Sequence, residues 1–292
     1  MPPRLRVPFI TLDGRPPGAL GRSLGSTSGG SAPDWGLMDA GVRASRYLEW
    51  SVRSALRRYA SCTWTSPSTG PDAEPVLPDG CMDLIWDGSR LIVAGPDTVP
   101  TIGTDDGLLR VGLRFRPGMG PLFFGPPAVE LRDARVELAQ LWPDVDTLAA
   151  RLSEPGSPGV ARGILEDAVA DRLPSVSAPD PLVEVAVRAW ATNPATAGAE
   201  YLASVSGLSA RQVHRRFVAM VGYGPKYLQR VLRFQAFLAT SAAPGLGLAE
   251  LACVCGYSDQ PHLNRETARL SGRTPAELRA ARRGVRIVQD AR

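Results

Sequence analysis

The spacing of apolar positions changes character along the chain. From Tyr47 to about Trp142 they come in short bursts. Cys81 to Trp86 and Arg90 to Ala94 flank Asp87-Gly88-Ser89, a turn that predicts a β-hairpin. Leu108 to Phe115 predicts another strand, stopped by Pro117-Gly118. From Val136 to Leu152, and again from Val160 to Arg172, the spacing becomes helical. Pro143 falls where the first turn of a helix is expected, since a missing N–H costs nothing there. Residues 1–45 are rich in Pro, Gly and Ser without sustained periodicity, which predicts disorder. Pro174 to Pro181 reads as a linker, and the spacing beyond it is helical. The pattern predicts an α+β chain: a disordered segment (1–45), a β-rich domain with helices at its C-terminal end (46–173), a linker (174–180), an all-α domain (181–285) and a tail (286–292).

The all-α part contains a repeat. Leu202, Ala203, Val205, Gly207 and Ser209 match Leu251, Ala252, Val254, Gly256 and Ser258 at an offset of 49. After one extra residue the match resumes at an offset of 50, through Val213/Leu263, Arg215/Arg265, Gly222/Gly272, Pro225/Pro275 and Leu228/Leu278. In the first copy Leu202, Ala203 and Val205 are expected as the buried stripe of a short helix. Gly207 supplies the positive φ of a tight turn, and Ser209 suits the N-cap of a second helix. Val213 and Phe217, four apart, face back into the core. Each copy therefore predicts a helix-turn-helix unit. Pro225 to Leu238 predicts one long helix between the units, with two apolar faces.

The outer face of each second helix is polar. It carries Arg211, Gln212, His214, Arg215 and Arg216 in the first unit, and Gln260, His262, Asn264, Arg265 and Arg269 in the second. Together with Ser209 at its cap, this is chemistry that bonds base edges and neutralises phosphate. Charge supports the reading. From Pro181 onward fifteen basic residues stand against seven acidic ones, a net +8, whereas the preceding 180 residues carry a net −4. Double-stranded DNA is the expected partner, with the two second helices set to enter successive major grooves about 34 Å apart.

These residues resemble the AraC-type (AraC/XylS) transcriptional regulators over about 181–285. Gly256-Tyr257-Ser258-Asp259-Gln260 with Arg265 and Gly272-Arg273-Thr274-Pro275 is similar to that family's second-unit signature, and Ser206-Gly207-Leu208-Ser209 with Arg215 and Phe217 to its first. The resemblance implies base contacts from Arg211, His214 and Arg215, and from Gln260, His262 and Arg265. Thr267 stands where the family usually has a core phenylalanine, and Leu278 where it usually has tyrosine. Thr267 predicts an unsatisfied hydroxyl or a small cavity in the second unit. The first unit is therefore expected to read most of the sequence and the second to position the protein. Pro78 to Trp86, Gly112 to Gly118 and Glu130 to Asp133 resemble a β-rich domain of unassigned function often fused to this module. The resemblance implies that it binds a small effector, forms a homodimer, or both. Trp86, Arg114 and Arg116 are the candidate effector contacts, against the alternative that Trp86 is core and the arginines are solvated. RNA polymerase is a further partner if the protein activates transcription.

Other classes are weighed against this. A DNA alkyl-repair protein with a methyl-accepting cysteine needs a zinc-bound cysteine cluster, and residues 1–180 offer Cys62 and Cys81 with no histidine. A Ser/His/Asp hydrolase is set aside because His214 and His262, the two histidines of the chain, already lie in the repeat. A protein-interaction adaptor remains the other alternative. No catalytic residues, cofactor or metal site is expected, the Cys253/Cys255 pair being read as reduced thiols. With no long apolar run and no secretory signal at the N-terminus, the expected location is the cytoplasm.

Overall fold

The computed structural model describes residues 47–67, 75–103, 108–154, 156–196, 198–243 and 245–283. The expected disordered segment 1–45 and the tail 286–292 lie outside them. Six strands, β1 (Leu48–Trp50), β2 (Ala60–Pro67), β3 (Met82–Trp86), β4 (Leu91–Ala94), β5 (Leu109–Phe115) and β6 (Arg135–Glu137), form one antiparallel sheet in the order β1-β2-β5-β3-β4-β6. The hairpin expected at Asp87-Gly88-Ser89 joins β3 to β4, and Gly88 takes φ 98°. Alternation sets the faces. Leu84, Trp86, Val93, Leu113 and Phe115 point into a core closed by α1 (Gly120–Phe124), α2 (Val145–Ser153) and α3 (Pro158–Ala170). Within it Phe115 lies 4.9 Å from Phe123, and the Trp142 indole donates to the Phe123 carbonyl at 2.9 Å.

On the opposite face Trp64 of β2 lies over Gly112 of β5, so close that a Cβ there would sit 2.2 Å from the indole. Beside it Arg114 is buried. Its guanidinium pairs side-on with Asp83 at 3.0 and 2.9 Å and lies 3.5 Å from both Asp79 and Glu49.

Two sequence expectations fail here. Residues 136–142 do not open a helix: Arg135–Glu137 pairs with β4 as an edge strand and Leu138–Gln140 forms a 3-10 turn. Val136, Leu138 and Leu141 satisfy a helical template by coincidence, because a strand running into a 3-10 turn also brings Leu138 to the core. Pro143 precedes Asp144, the N-cap of α2, rather than occupying its first turn.

After a 3-10 turn at Leu173–Ser175, seven helices follow: α4 (Pro181–Thr192), α5 (Ala199–Ser206), α6 (Ala210–Val221), α7 (Pro225–Thr240), α8 (Leu248–Val254), α9 (Gln260–Ser271) and α10 (Pro275–Arg283). Asp180 caps α4, accepting from the Leu182 and Val183 N–H groups. The long helix α7 runs through the centre and buries Leu228, Val231, Leu232, Phe234, Phe237 and Leu238. Trp190 and Phe217 pack against each other on one side of this core, with Leu251, Leu263, Leu270 and Leu278 completing it.

The sheet and the helical part share a boundary. Leu77, which precedes β3, is buried in the core of the helices. The Gln235 amide donates to the Pro78 carbonyl at 2.7 Å, Arg58 pairs with Glu184 at 2.9 Å, and Gly80 abuts Leu228 and Tyr223. No described helix is long and apolar enough to cross a membrane.

Candidate nucleic-acid interface

Two helix-turn-helix pairs, α5–α6 and α8–α9, are built by the same local rules. In the first, α5 ends at Gly207, which is left-handed at φ 67°. Ser209 then caps α6: its hydroxyl accepts from the Gln212 N–H, and the Gln212 side chain accepts from the Ser209 N–H at 2.8 Å. This reciprocal capping box satisfies two otherwise orphaned donors. Val213, Phe217 and Val221, four residues apart, are buried, and Gly222 ends the helix at φ 90°. In the second pair Gly256 turns at φ 79° against the backbone of Ala195. Asp259, one residue beyond the position aligned with Ser209, caps α9 by accepting from the His262 N–H at 2.6 Å. Leu263, Glu266, Thr267 and Leu270 are buried, and Gly272 ends the helix at φ 70°.

Val205 departs from expectation. It is 59% exposed, and Val254, its counterpart, 56%. In the second copy the buried positions are Leu251, Ala252 and Cys255, so the stripe runs i, i+1, i+4, and a valine at i+3 falls outside that arc.

The polar residues divide into two groups. Arg211, His214 and Arg215 on α6, and Asn264, Arg265 and Arg269 on α9, are exposed opposite the buried stripes. The His214 ring lies over Gly224, where a Cβ would come within 2.6 Å of it. Arg211, Arg215 and Arg265 make no ion pair with a described acidic residue, whereas Arg269 lies 3.5 Å from Glu266. No acid stands in the first turn of α6 or at its neutral Ser209 cap, which leaves the positive end of that dipole unopposed, whereas the Asp259 carboxylate sits at the same end of α9. The second group is engaged within the protein. Ser209 and Gln212 form the capping box, and Arg216 lies 3.5 Å from the Asp180 cap of α4. The His262 Nδ1 is 3.1 Å from the Ser258 hydroxyl, its ring edge-on to Tyr257, and Gln260 is half-buried. The Ser-x-x-Gln spacing was a legible sign of the capping box; nothing local to Arg216 announces Asp180.

Sequence reasoning passed over Glu266. Its carboxylate is almost fully buried and is shared between Arg230 of α7 and Arg269. Thr267 is as expected: fully buried, its hydroxyl without a hydrogen-bond partner among the described residues.

The β-domain candidates are internal. Trp86 is part of the core, Arg114 is held by carboxylates, and Arg116 is buried with its Nε donating to the Arg57 carbonyl at 2.9 Å. The arginines are thus neither solvated nor open. Burial pushes the Cys62 and Cys81 thiols well up, and that of Cys255 to about 11. Among the described residues no group of three or more His, Cys, Asp or Glu is arranged to hold a metal.

Residues 202–281 match the family described as a helix-turn-helix domain, HTH_18, and residues 51–137 match a domain of unknown function, DUF6597. Comparison with curated proteins returns no match. Among solved structures, the DNA-binding domain of AdpA, determined in complex with a target DNA, shares 28% identity. It covers 38% of this chain and 99% of that chain, at a TM-score of 0.35. The C-terminal domain of AraT from Geobacillus stearothermophilus shares 18% identity, over 39% of this chain and 94% of that one, at 0.34. ToxT from Vibrio cholerae O395 shares 10%, over 76% of this chain and 97% of that one, at 0.42. Residues 202–281 are thus an AraC-type helix-turn-helix domain, and it follows a β-rich domain of unknown function.

Proposed function

We propose that the protein is a sequence-specific regulator whose α6 and α9 enter successive major grooves of one duplex, with the β-rich domain (46–173) modulating the helical domain (181–285) across the 174–180 linker through a small effector or by dimerisation. The observation that carries this is the pair of like-built helices, each buried along one stripe and each presenting unpaired arginine on the other. Arg211, His214 and Arg215 act as the principal base and phosphate contacts of the first unit, and Asn264, Arg265 and Arg269 as those of the second. Ser209, Gln212, Gln260 and His262 act first as cap and turn residues that aim these side chains, with their remaining polar atoms turned to the backbone of the DNA. The first unit reads most of the sequence. The second, with Thr267 in its core, mainly fixes position.

The test is selection of bound sequences from random duplex DNA, followed by a salt titration on the selected site. The logarithm of affinity should fall linearly with the logarithm of salt, by about 0.9 per phosphate neutralised. Arg215→Ala should cost roughly 1–3 kcal/mol and relax one position of the site. No enriched sequence, or function undisturbed by Arg215→Ala and Arg265→Ala together, defeats the reading and favours an adaptor.

A further inference from the structure

Two loops of the β-rich domain are locked together beside the helices. Asp133 is the one described non-glycine residue at positive φ, 56°. Its carboxylate accepts from the Thr98 N–H at 2.6 Å and from the Thr98 hydroxyl at 2.8 and 2.9 Å, while its own N–H donates to the Pro96 carbonyl at 3.2 Å. Asp97 pairs side-on with Arg135 at 2.9 and 2.7 Å. The backbones are in contact as well: a Cβ on Gly95 would lie 1.6 Å from the Leu131 carbonyl oxygen. Residues 95–98 and 131–135 therefore move as one piece.

That piece touches the helical domain at two points. Arg132 donates to the Gly222 carbonyl at the end of α6 at 3.2 Å, where Pro96 and the Ala128 carbonyl also crowd Gly222. Separately, the Tyr227 hydroxyl of α7 donates to the Thr98 carbonyl at 2.8 Å. From Tyr227 the contacts continue. Arg230, one turn along α7, lies 5.2 Å over the Tyr227 ring and bonds through its Nε to Glu266 of α9. The other Glu266 oxygen lies 3.5 Å from the exposed Arg269. Arg230 is the less exposed and more closely held of the two counter-charges of this buried carboxylate, so a shift of α7 that carried Arg230 away would leave Glu266 with the exposed Arg269 alone, which ties the placement of α9 to α7.

We infer that Tyr227 and Glu266 are positioning residues through which the 95–98/131–135 loop pair sets the placement of α9, separately from its hold on α6 through Arg132. The β-rich domain then controls the second unit along Thr98, Tyr227, Arg230 and Glu266. The inference rests on the proposed DNA reading only for its effect on binding; the mechanical coupling is independent of it.

Amide hydrogen exchange on the full chain tests the coupling without DNA. Tyr227→Phe keeps the ring over Arg230 and deletes only the bond to Thr98. It should speed exchange across residues 260–271 by about threefold or more, and have little further effect once Glu266→Gln is present. Arg132→Ala should instead speed exchange at the end of α6 and spare α9. Unchanged exchange in α9 on Tyr227→Phe, or equal effects of Tyr227→Phe in the two backgrounds, overturns the inference. On a selected DNA site, Tyr227→Phe should lower affinity for the full site and leave the half-site met by α6 unaffected; equal loss on both also overturns it. Absence of any DNA binding by the parent chain would count against the proposed function, while the exchange data still decide the coupling.

Discussion

Thr267 and Ser271, one turn apart on α9, should respond with opposite signs to loss of their hydroxyls. The Thr267 hydroxyl is buried with no partner among the described residues. Valine has the same shape and nearly the same helix propensity, so Thr267→Val swaps an unbonded oxygen for a methyl without opening a cavity. A buried hydroxyl lacking a partner costs about 1–3 kcal/mol by mutational measures, so the variant should gain roughly 1–2 kcal/mol. The Ser271 hydroxyl, by contrast, donates to the Thr267 carbonyl at 2.7 Å and accepts from the Arg273 N–H at 3.2 Å. Ser271→Ala should lose about 0.5–1.5 kcal/mol. Urea unfolding followed by far-ultraviolet circular dichroism measures both, with the slope checked for constancy so that midpoint shifts report stability. A Thr267→Val variant that is neutral or less stable at constant slope would show that a partner, such as a bound water, satisfies the hydroxyl, and would refute the reasoning.

Three further outcomes follow from packing and burial. Gly112→Ala places a methyl against the Trp64 indole, where 2.2 Å leaves no room, and should destabilise by about 1–3 kcal/mol in thermal melts; an unshifted melt would mean the indole is free to move. Leu77→Ala should cost roughly 2–5 kcal/mol and speed amide exchange in α7, because the leucine belongs to the helical core despite its place in the sheet segment; a loss confined to the strands would contradict this. Burial raises the Asp79 carboxyl to about 6 against the pull of Arg114, with the Asp83 charge adding to the rise. A raised carboxyl holds its proton more firmly in the folded than in the unfolded state. Its contribution is therefore complete below the ordinary carboxylate range and lost as pH rises through about 6. Asp79→Asn should flatten that part of the stability profile, as unfolding at a series of pH values would show; an unchanged profile would place the titration elsewhere.

What the sequence revealed tracks how local each cause is. The two turns, their left-handed glycines and the Ser209 cap are encoded within a few residues and were legible. So was the consequence of Thr267, because the resemblance places a core phenylalanine at that position. Residues 136–142 misled because three apolar positions in a strand and a 3-10 turn imitate a helical period. Val205 misled because α5 is too short for periodicity to distinguish i+3 from i+4. The destinations of Arg114, Arg216 and Arg230 were invisible, since Asp83, Asp180 and Glu266 lie 31 to 36 residues away and only the fold brings them together.

The burial of Leu77 among the helices bears on the order in which the chain is made. Synthesis delivers residues 75–137 before α4 through α10, and domains fold largely as they emerge. A sheet that folds first would present Leu77, the Pro78 carbonyl and the 95–98 loop to the helices as they emerge. Such a sheet would act as a template for α7, and substitutions along that surface should then lower the yield of folded helical domain in cells even where the finished protein tolerates them.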